Sequence, residues 1–273
     1  MKSPFFILGV ILIIIVFGYF INSHIKNSEE SETIEGPVVE AIPYTNYNYT
    51  KITGLGYLHY EDDNYTSKFG IDVSAHQETI NWKKVKEAGV EFAYIRLGYR
   101  GAVQGLLNTD LEFENNYYGA LKNNIDVGVY WYAQPISVEE AIEEANYVLK
   151  VLDNRHLDLP IVLDFEETEF SDGDISRMHG MSPSLRCEIA RAFCDEIIKN
   201  HHEVMIYTNL YWGEYYYDSK ILTDYPIWLA EYNEIPTYDK PFRMWQYSES
   251  GAVPGIEHPV DLDIMFICKN DQN

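Results

Sequence analysis

The chain has 273 residues, 46% of them hydrophobic and 15% aromatic, which is enough for one sizeable core and within the size of a single barrel domain. A formal net charge of -23 argues against a nucleic-acid partner, because such binding rewards clustered Lys and Arg. Cys187, Cys194 and Cys268 form no CxxC or Cys/His metal spacing, two helical turns between the first two are too long for a disulfide, and all three read as buried thiols.

The first element is a run from Pro4 to Ile21 with no charge, rich in Ile, Phe, Val and Leu. Its length of about 18 residues can just cross a bilayer core as a helix. A signal peptide has a shorter apolar centre and a small-residue cleavage site, and no such site follows. Residues 1–26 therefore read as an N-terminal transmembrane helix, an uncleaved signal anchor, with the rest of the chain extracytoplasmic at the cell membrane. Secretion after cleavage is the alternative. Residues 27–68 read as a tether, with Pro37, Pro43 and turn signals around Gly54, Gly56 and Asn64. Its Tyr-rich second half can either dangle or pack on the domain.

From residue 69 onward strands and helices alternate. Strands are expected at 69–75, 90–99, 127–133 and 159–166, with helices at 80–88, 111–124 and 137–152 between them. Ser137 and Glu140 form a capping box for the third helix, and Pro183 opens a fourth that runs to about Asn200. A fifth strand at 204–207 and a short helix at 212–217 follow. Three more strands, at 226–230, 242–247 and 260–267, have no long helix between them. Such alternation implies a mainly parallel sheet covered by helices, and eight strands imply closure. The fold class is α/β, a TIM-like (β/α)-barrel of irregular (β/α)5(β)3 form over 69–268, with a tail at 269–273.

The chemistry concentrates in Leu159-Pro-Ile-Val-Leu-Asp-Phe-Glu-Glu167. Asp164 and Glu166 are two apart, so a strand places both carboxyls on one face, with Cα atoms roughly 6.5–7 Å apart. Adjacent buried acids drive each other's pKa values apart, leaving one protonated and one charged, as acid/base work on a sugar–oxygen bond requires. Barrels carry their chemistry at the C-terminal ends of the strands, where these acids lie. Asp72 on the first strand, and Asp261 and Asp263 on the last, reach the same mouth if the barrel closes. The plain reading of Asp72 and Asp261 is a polar plug. His76 reads as structural more readily than catalytic. His179, His201 and His202 have no metal-ligand pattern, so no metal site is read. The acidic helix face at Glu139, Glu140, Glu143 and Glu144 reads as solvated surface.

Six segments together resemble glycoside hydrolase family 25, the N-acetylmuramidase lysozymes. They are Gly70-Ile-Asp-Val-Ser-Ala-His-Gln77, Gly128-Val-Tyr-Trp-Tyr-Ala133, Leu163-Asp-Phe-Glu166, Pro226-Ile-Trp-Leu-Ala230, Met244-Trp-Gln-Tyr247 and Val260-Asp-Leu-Asp263, in the family's order. The resemblance implies hydrolysis of the β-1,4 bond between N-acetylmuramic acid and N-acetylglucosamine in bacterial peptidoglycan, without a cofactor. It implies Glu166 as general acid, Asp164 as covalent nucleophile or as helper of the substrate acetamido group, and Asp72 and Asp261 as further acids of the cleft. Tyr130, Trp228, Trp245 and Tyr247 correspond to the aromatic, substrate-binding wall. Residue chemistry alone leaves Trp228 open between sugar stacking and barrel filling, and favours binding for Trp245 and Tyr247. Asp263 stands where the family more often has Asn. A non-catalytic wall-binding protein on the same barrel is the alternative function.

Overall fold

A computed structural model describes residues 47–54, 56–168, 170 and 174–272. The expected membrane helix at 1–26 and the first part of the tether lie outside the described residues. Among the described residues, no helix is long and apolar enough to cross a membrane.

A short hairpin of β1 (Ile52–Thr53) and β2 (His59–Tyr60) precedes the barrel. The barrel strands are β3 (Tyr65–Val73), β4 (Phe92–Arg100), β6 (Asp126–Tyr132), β7 (Ile161–Asp164), β8 (Val204–Asn209), β9 (Ile227–Ala230), β10 (Met244–Gly251) and β11 (Val260–Cys268). A three-residue strand, β5 (Leu107–Thr109), folds back on β4 as a hairpin. Pairing of β3 with both β11 and β4 closes the eight strands into a ring. The helices are α1 (Trp82–Glu87), α2 (Phe113–Lys122), α3 (Val138–Leu152), α4 (Pro183–Lys199), α5 (Leu210–Tyr215) and α6 (Ile221–Asp224). After α6 no helix separates β9, β10 and β11.

The sheet is parallel from β3 through β10, but β11 runs antiparallel to both of its neighbours. This reversal sets where the site forms. The start of β11, not its end, meets the C-terminal end of β3, and Asp261 pairs directly opposite Asp72.

Strand alternation divides the core into two layers. Phe69, Ile71 and Val73 of β3 and Ile264 and Phe266 of β11 face outward into the main apolar cluster shared with the helices. Phe92, Tyr94, Val162, Met205, Trp228, Met244 and Met265 fill the barrel interior. That filling requires glycine at Gly70, where a Cβ would stand 2.3 Å from the Phe92 ring.

The structure changes three sequence expectations away from the site. First, β3 starts at Tyr65 and not at 69, because its first residues pair with the end of β11. Residues from Tyr47 onward pack on that end of the barrel. Tyr47 is buried with its ring 4.1 Å from that of Phe266, and its hydroxyl donates to the Phe242 carbonyl at 3.2 Å. Second, the acidic face of α3 is not wholly solvated. Glu144 is fully buried, accepting from Arg100 Nε at 2.5 Å and Trp131 Nε1 at 2.6 Å. Burial pushes its carboxyl up to about 7 against the pull of Trp131 and Arg100. Third, Cys268 is only partly buried, whereas Cys187 and Cys194 are buried thiols.

Candidate active site

The inward residues at the strand ends enclose a cavity of about 440 Å³. Its wall contains Asp72, Asp164 and Asp261, together with Arg96, Tyr130, Tyr132, Tyr207, Trp228, Tyr232 and Gln246. The carboxyls fall into two groups.

The first group comes from the end of β7. Phe165 is buried in the outer apolar cluster, so Asp164 and Glu166 on either side of it share the inner face. The Glu166 main chain is held by Gln134, whose Nε2 donates to its carbonyl at 2.5 Å. Its carboxyl accepts from Asn209 Nδ2 at 2.9 Å. Burial pushes that carboxyl up to about 7, with the Asn209 hydrogen bond pulling the other way. Asp164 is held well above the usual carboxylate range by burial and by the Glu166 charge, while the Arg96 guanidinium opposes both. Asp164 Oδ1 is buried and has no hydrogen-bond partner among the described residues. Arg96 is itself aimed by Asp110, which accepts from its Nε at 2.7 Å.

The second group spans β3 and β11. Asp72 Oδ2 accepts from Gln246 Nε2 at 2.7 Å. Gln246 is oriented in turn by the Tyr207 and Tyr232 hydroxyls, which donate to its Oε1 at 3.0 Å and 2.8 Å. Asp261 is pushed up to about 6 by burial, although its hydrogen bond with Asp72 pulls it down. Asp263 is fully buried, and Trp228 Nε1 donates to its Oδ1 at 3.0 Å. Its Oδ2 finds no conventional donor among the described residues, and the carboxyl as a whole interacts with Asp72. Burial, then Asp261, holds the Asp263 carboxyl well above the usual range. Three acids this close cannot all be charged, so shared protons satisfy the cluster.

The expected aromatic wall is only partly present. Trp228 and Tyr130 line the cavity, with Trp228 at the centre of a ring cluster that includes Tyr94, Tyr130 and Tyr207. Trp228 thus both fills the barrel and floors the cavity. Trp245 and Tyr247 are displaced from the expected wall, because on β10 the inward positions are Met244 and Gln246. Trp245 is fully buried in the outer layer and donates from Nε1 to the Glu231 carbonyl at 2.7 Å. Tyr247 also faces outward, and its hydroxyl donates to the Gly56 carbonyl at 3.0 Å. Gln246, Tyr207, Tyr232, Asn209 and Arg96 were not singled out from sequence. The period-2 alternation between Asp164, Trp228 and the Met244-Trp-Gln-Tyr247 run carried the signal for Gln246.

The profile described as Glycosyl hydrolases family 25 matches residues 71–256. The chain belongs to this family. It is similar to the "Autolytic lysozyme" of Clostridium acetobutylicum, 30% identical over 197 residues, which cover 71% of this chain and 54% of that protein. It is also similar to "Lysozyme M1" of Streptomyces globisporus, 31% identical over 204 residues, with 70% and 65% covered. The chain thus spans between about half and two thirds of the length of these curated relatives. Among solved structures, the bacterial lysozyme of Streptomyces coelicolor superposes with a TM-score of 0.57 at 30% identity, covering 72% of this chain and 90% of that one. Of the acids of this family 25 barrel, Asp72, Asp164 and Glu166 lie within the matched stretch, and Asp261 and Asp263 follow it.

Proposed function

We propose that this family 25 barrel is a muramidase, cleaving the β-1,4 bond between N-acetylmuramic acid and N-acetylglucosamine in peptidoglycan. The observation that carries the proposal is the Asp164–Glu166 pair. One inner face holds two partly buried carboxyls, the Glu166 charge opposes ionisation of Asp164, and burial pushes Glu166 up to about 7, so the pair keeps a proton near neutral pH for the donor role. Two similar proteins carry lysozyme names, which supports the same reading.

In this reading the Glu166 carboxyl donates its proton to the glycosidic oxygen as the bond from that oxygen to C1 breaks. Asp164 carries the compensating negative charge, either bonding to C1 or steadying the acetamido oxygen as that attacks C1. Water then attacks C1, breaking its bond to the Asp164 or acetamido oxygen, and returns a proton to the Glu166 carboxylate. Asp72, Asp261 and Gln246 hold the sugar and, with Asp263 behind them, shape the field across the cleft. The apolar run at 4–21 supports an anchor that presents the barrel on the outer side of the membrane. A high-salt or alkaline wash of membranes tests it, since an anchored chain stays with the lipid and a cleaved one is released.

The activity test is release of soluble fragments from purified peptidoglycan by wild type and by Glu166→Gln. Wild type is expected to release them and the variant to lose at least a hundredfold, the lower range for general acid catalysis. Equal release by both removes Glu166 from its role. Binding without release by either favours the wall-binding alternative.

A further inference from the structure

Resting on the muramidase reading, we infer that the exposed tyrosines of α5 form the platform for the glycan strand on the leaving-group side of the cut. The argument begins at Asn209, which works in two directions. Its Nδ2 donates to Glu166 Oε1 at 2.9 Å, and its Oδ1 accepts from the Trp212 main-chain N–H at 2.9 Å, capping α5. The helix is thus locked in register with the acid. A general acid donates to the departing oxygen, so the departing sugar lies on the acid's side of the cleft, where α5 begins.

Packing accounts for one face of α5 only. Trp212 and Gly213 are buried, and Tyr238 packs so tightly on Gly213 that a Cβ there would stand 2.8 Å from its ring. Tyr211 and Tyr215 are instead 57% and 62% exposed. They lie one helical turn apart, with ring centroids 5.0 Å apart and planes tilted by 43°. Tyr216 steadies the pair, with its ring centroid 5.6 Å from that of Tyr211 in an edge-on contact. Exposed rings with polar tips suit pyranose faces, which present C–H groups to the ring and hydroxyls to its rim. The Cα step from Tyr211 to Tyr215 is roughly 6 Å, close to the length of one pyranose unit. Asn209 bonds both to Glu166 and to the start of α5, so the occupant is the same polysaccharide strand that reaches the acid.

The test uses the full chain, with Tyr211→Ala, Tyr215→Ala and the corresponding Phe variants. Both tyrosines are exposed and outside the acid groups, so folding is retained. Two substrates are compared: peptide-free glycan strands, and a nitrophenyl glycoside of the N-acetylglucosaminyl-N-acetylmuramic acid disaccharide, whose leaving group ends at the phenol. Each Ala variant is expected to raise KM on strands about fivefold with kcat within about twofold, to keep wild-type kcat/KM on the nitrophenyl glycoside, and to be restored by Phe. Unchanged KM on strands, or equal losses on both substrates, overturns the platform while leaving the muramidase reading intact. A wild type inactive on both substrates overturns both.

Discussion

Glu166 and Asp164 share an inner face of the barrel, partly buried, and their chemistry depends on which of them holds the proton. Because burial pushes Glu166 up to about 7, kcat/KM is expected to fall as pH rises through 7, when the donor becomes a carboxylate. A pH–rate profile checks this. The same shift bears on stability. The folded-state value lies above the ordinary 4.5, so the protonated carboxyl contributes stability fully present below 4.5 and lost as pH rises through 7. Glu166→Gln is therefore expected to raise Tm by several degrees at pH 8 and to change it little at pH 4, as read by thermal melts. Asp263 gives a second, independent prediction. Asn at this position keeps an oxygen for Trp228 Nε1 and offers Asp72 a permanent N–H donor in place of a shared proton. Asp263→Asn is expected to keep kcat within about threefold and to melt higher than wild type above pH 7, with little difference at pH 4. A large loss of kcat at unchanged Tm contradicts that account. Legibility at this scale was uneven. Asp72, Asp164 and Asp261 stood out because a carboxyl in an apolar strand is conspicuous. Gln246 did not, because an uncharged amide beside Trp245 and Tyr247 carries less signal than its aromatic neighbours, and strand parity alone decides which of them points inward.

The direction of β11 explains how acids near both ends of the barrel sequence meet. In an all-parallel barrel Asp261, at the start of its strand, lies at the opposite end from Asp72. The antiparallel run of β11 brings it alongside. The absence of a helix before 260 hinted at a direct return, but hydrophobic pattern does not encode strand direction. The positions of the five main helices and eight strands were readable because Ser137, Ser182-Pro183, Gly89 and the apolar runs punctuate them. The hairpin and aromatic contacts of residues 47–64 were less so, since Tyr, Asn and Thr without periodicity also describe a tether. Tyr47→Ala is expected to cost about 3 kcal/mol, in the range for removing a large buried ring. For a chain of this size that is a Tm lowered by roughly 6–12 °C. Trp245→Phe loses the hydrogen bond to the Glu231 carbonyl, and it should lower Tm while leaving KM for glycan unchanged. A raised KM with an unchanged Tm would return Trp245 to the binding wall.

At the scale of the whole molecule, an acidic barrel with one polar mouth is joined in sequence to an apolar run at 4–21. If that run anchors the chain, the proposed muramidase works on peptidoglycan near the membrane, and detaching the barrel is expected to change where it cuts more than how. The central claim is the bond that is broken. Identifying the new reducing end, by borohydride reduction and mass spectrometry of fragments released from purified peptidoglycan, tests it most directly. N-acetylmuramitol ends with wild type and none above background with Glu166→Gln are the predicted result. N-acetylglucosaminitol ends, or muramitol ends formed equally by the variant, would contradict the account.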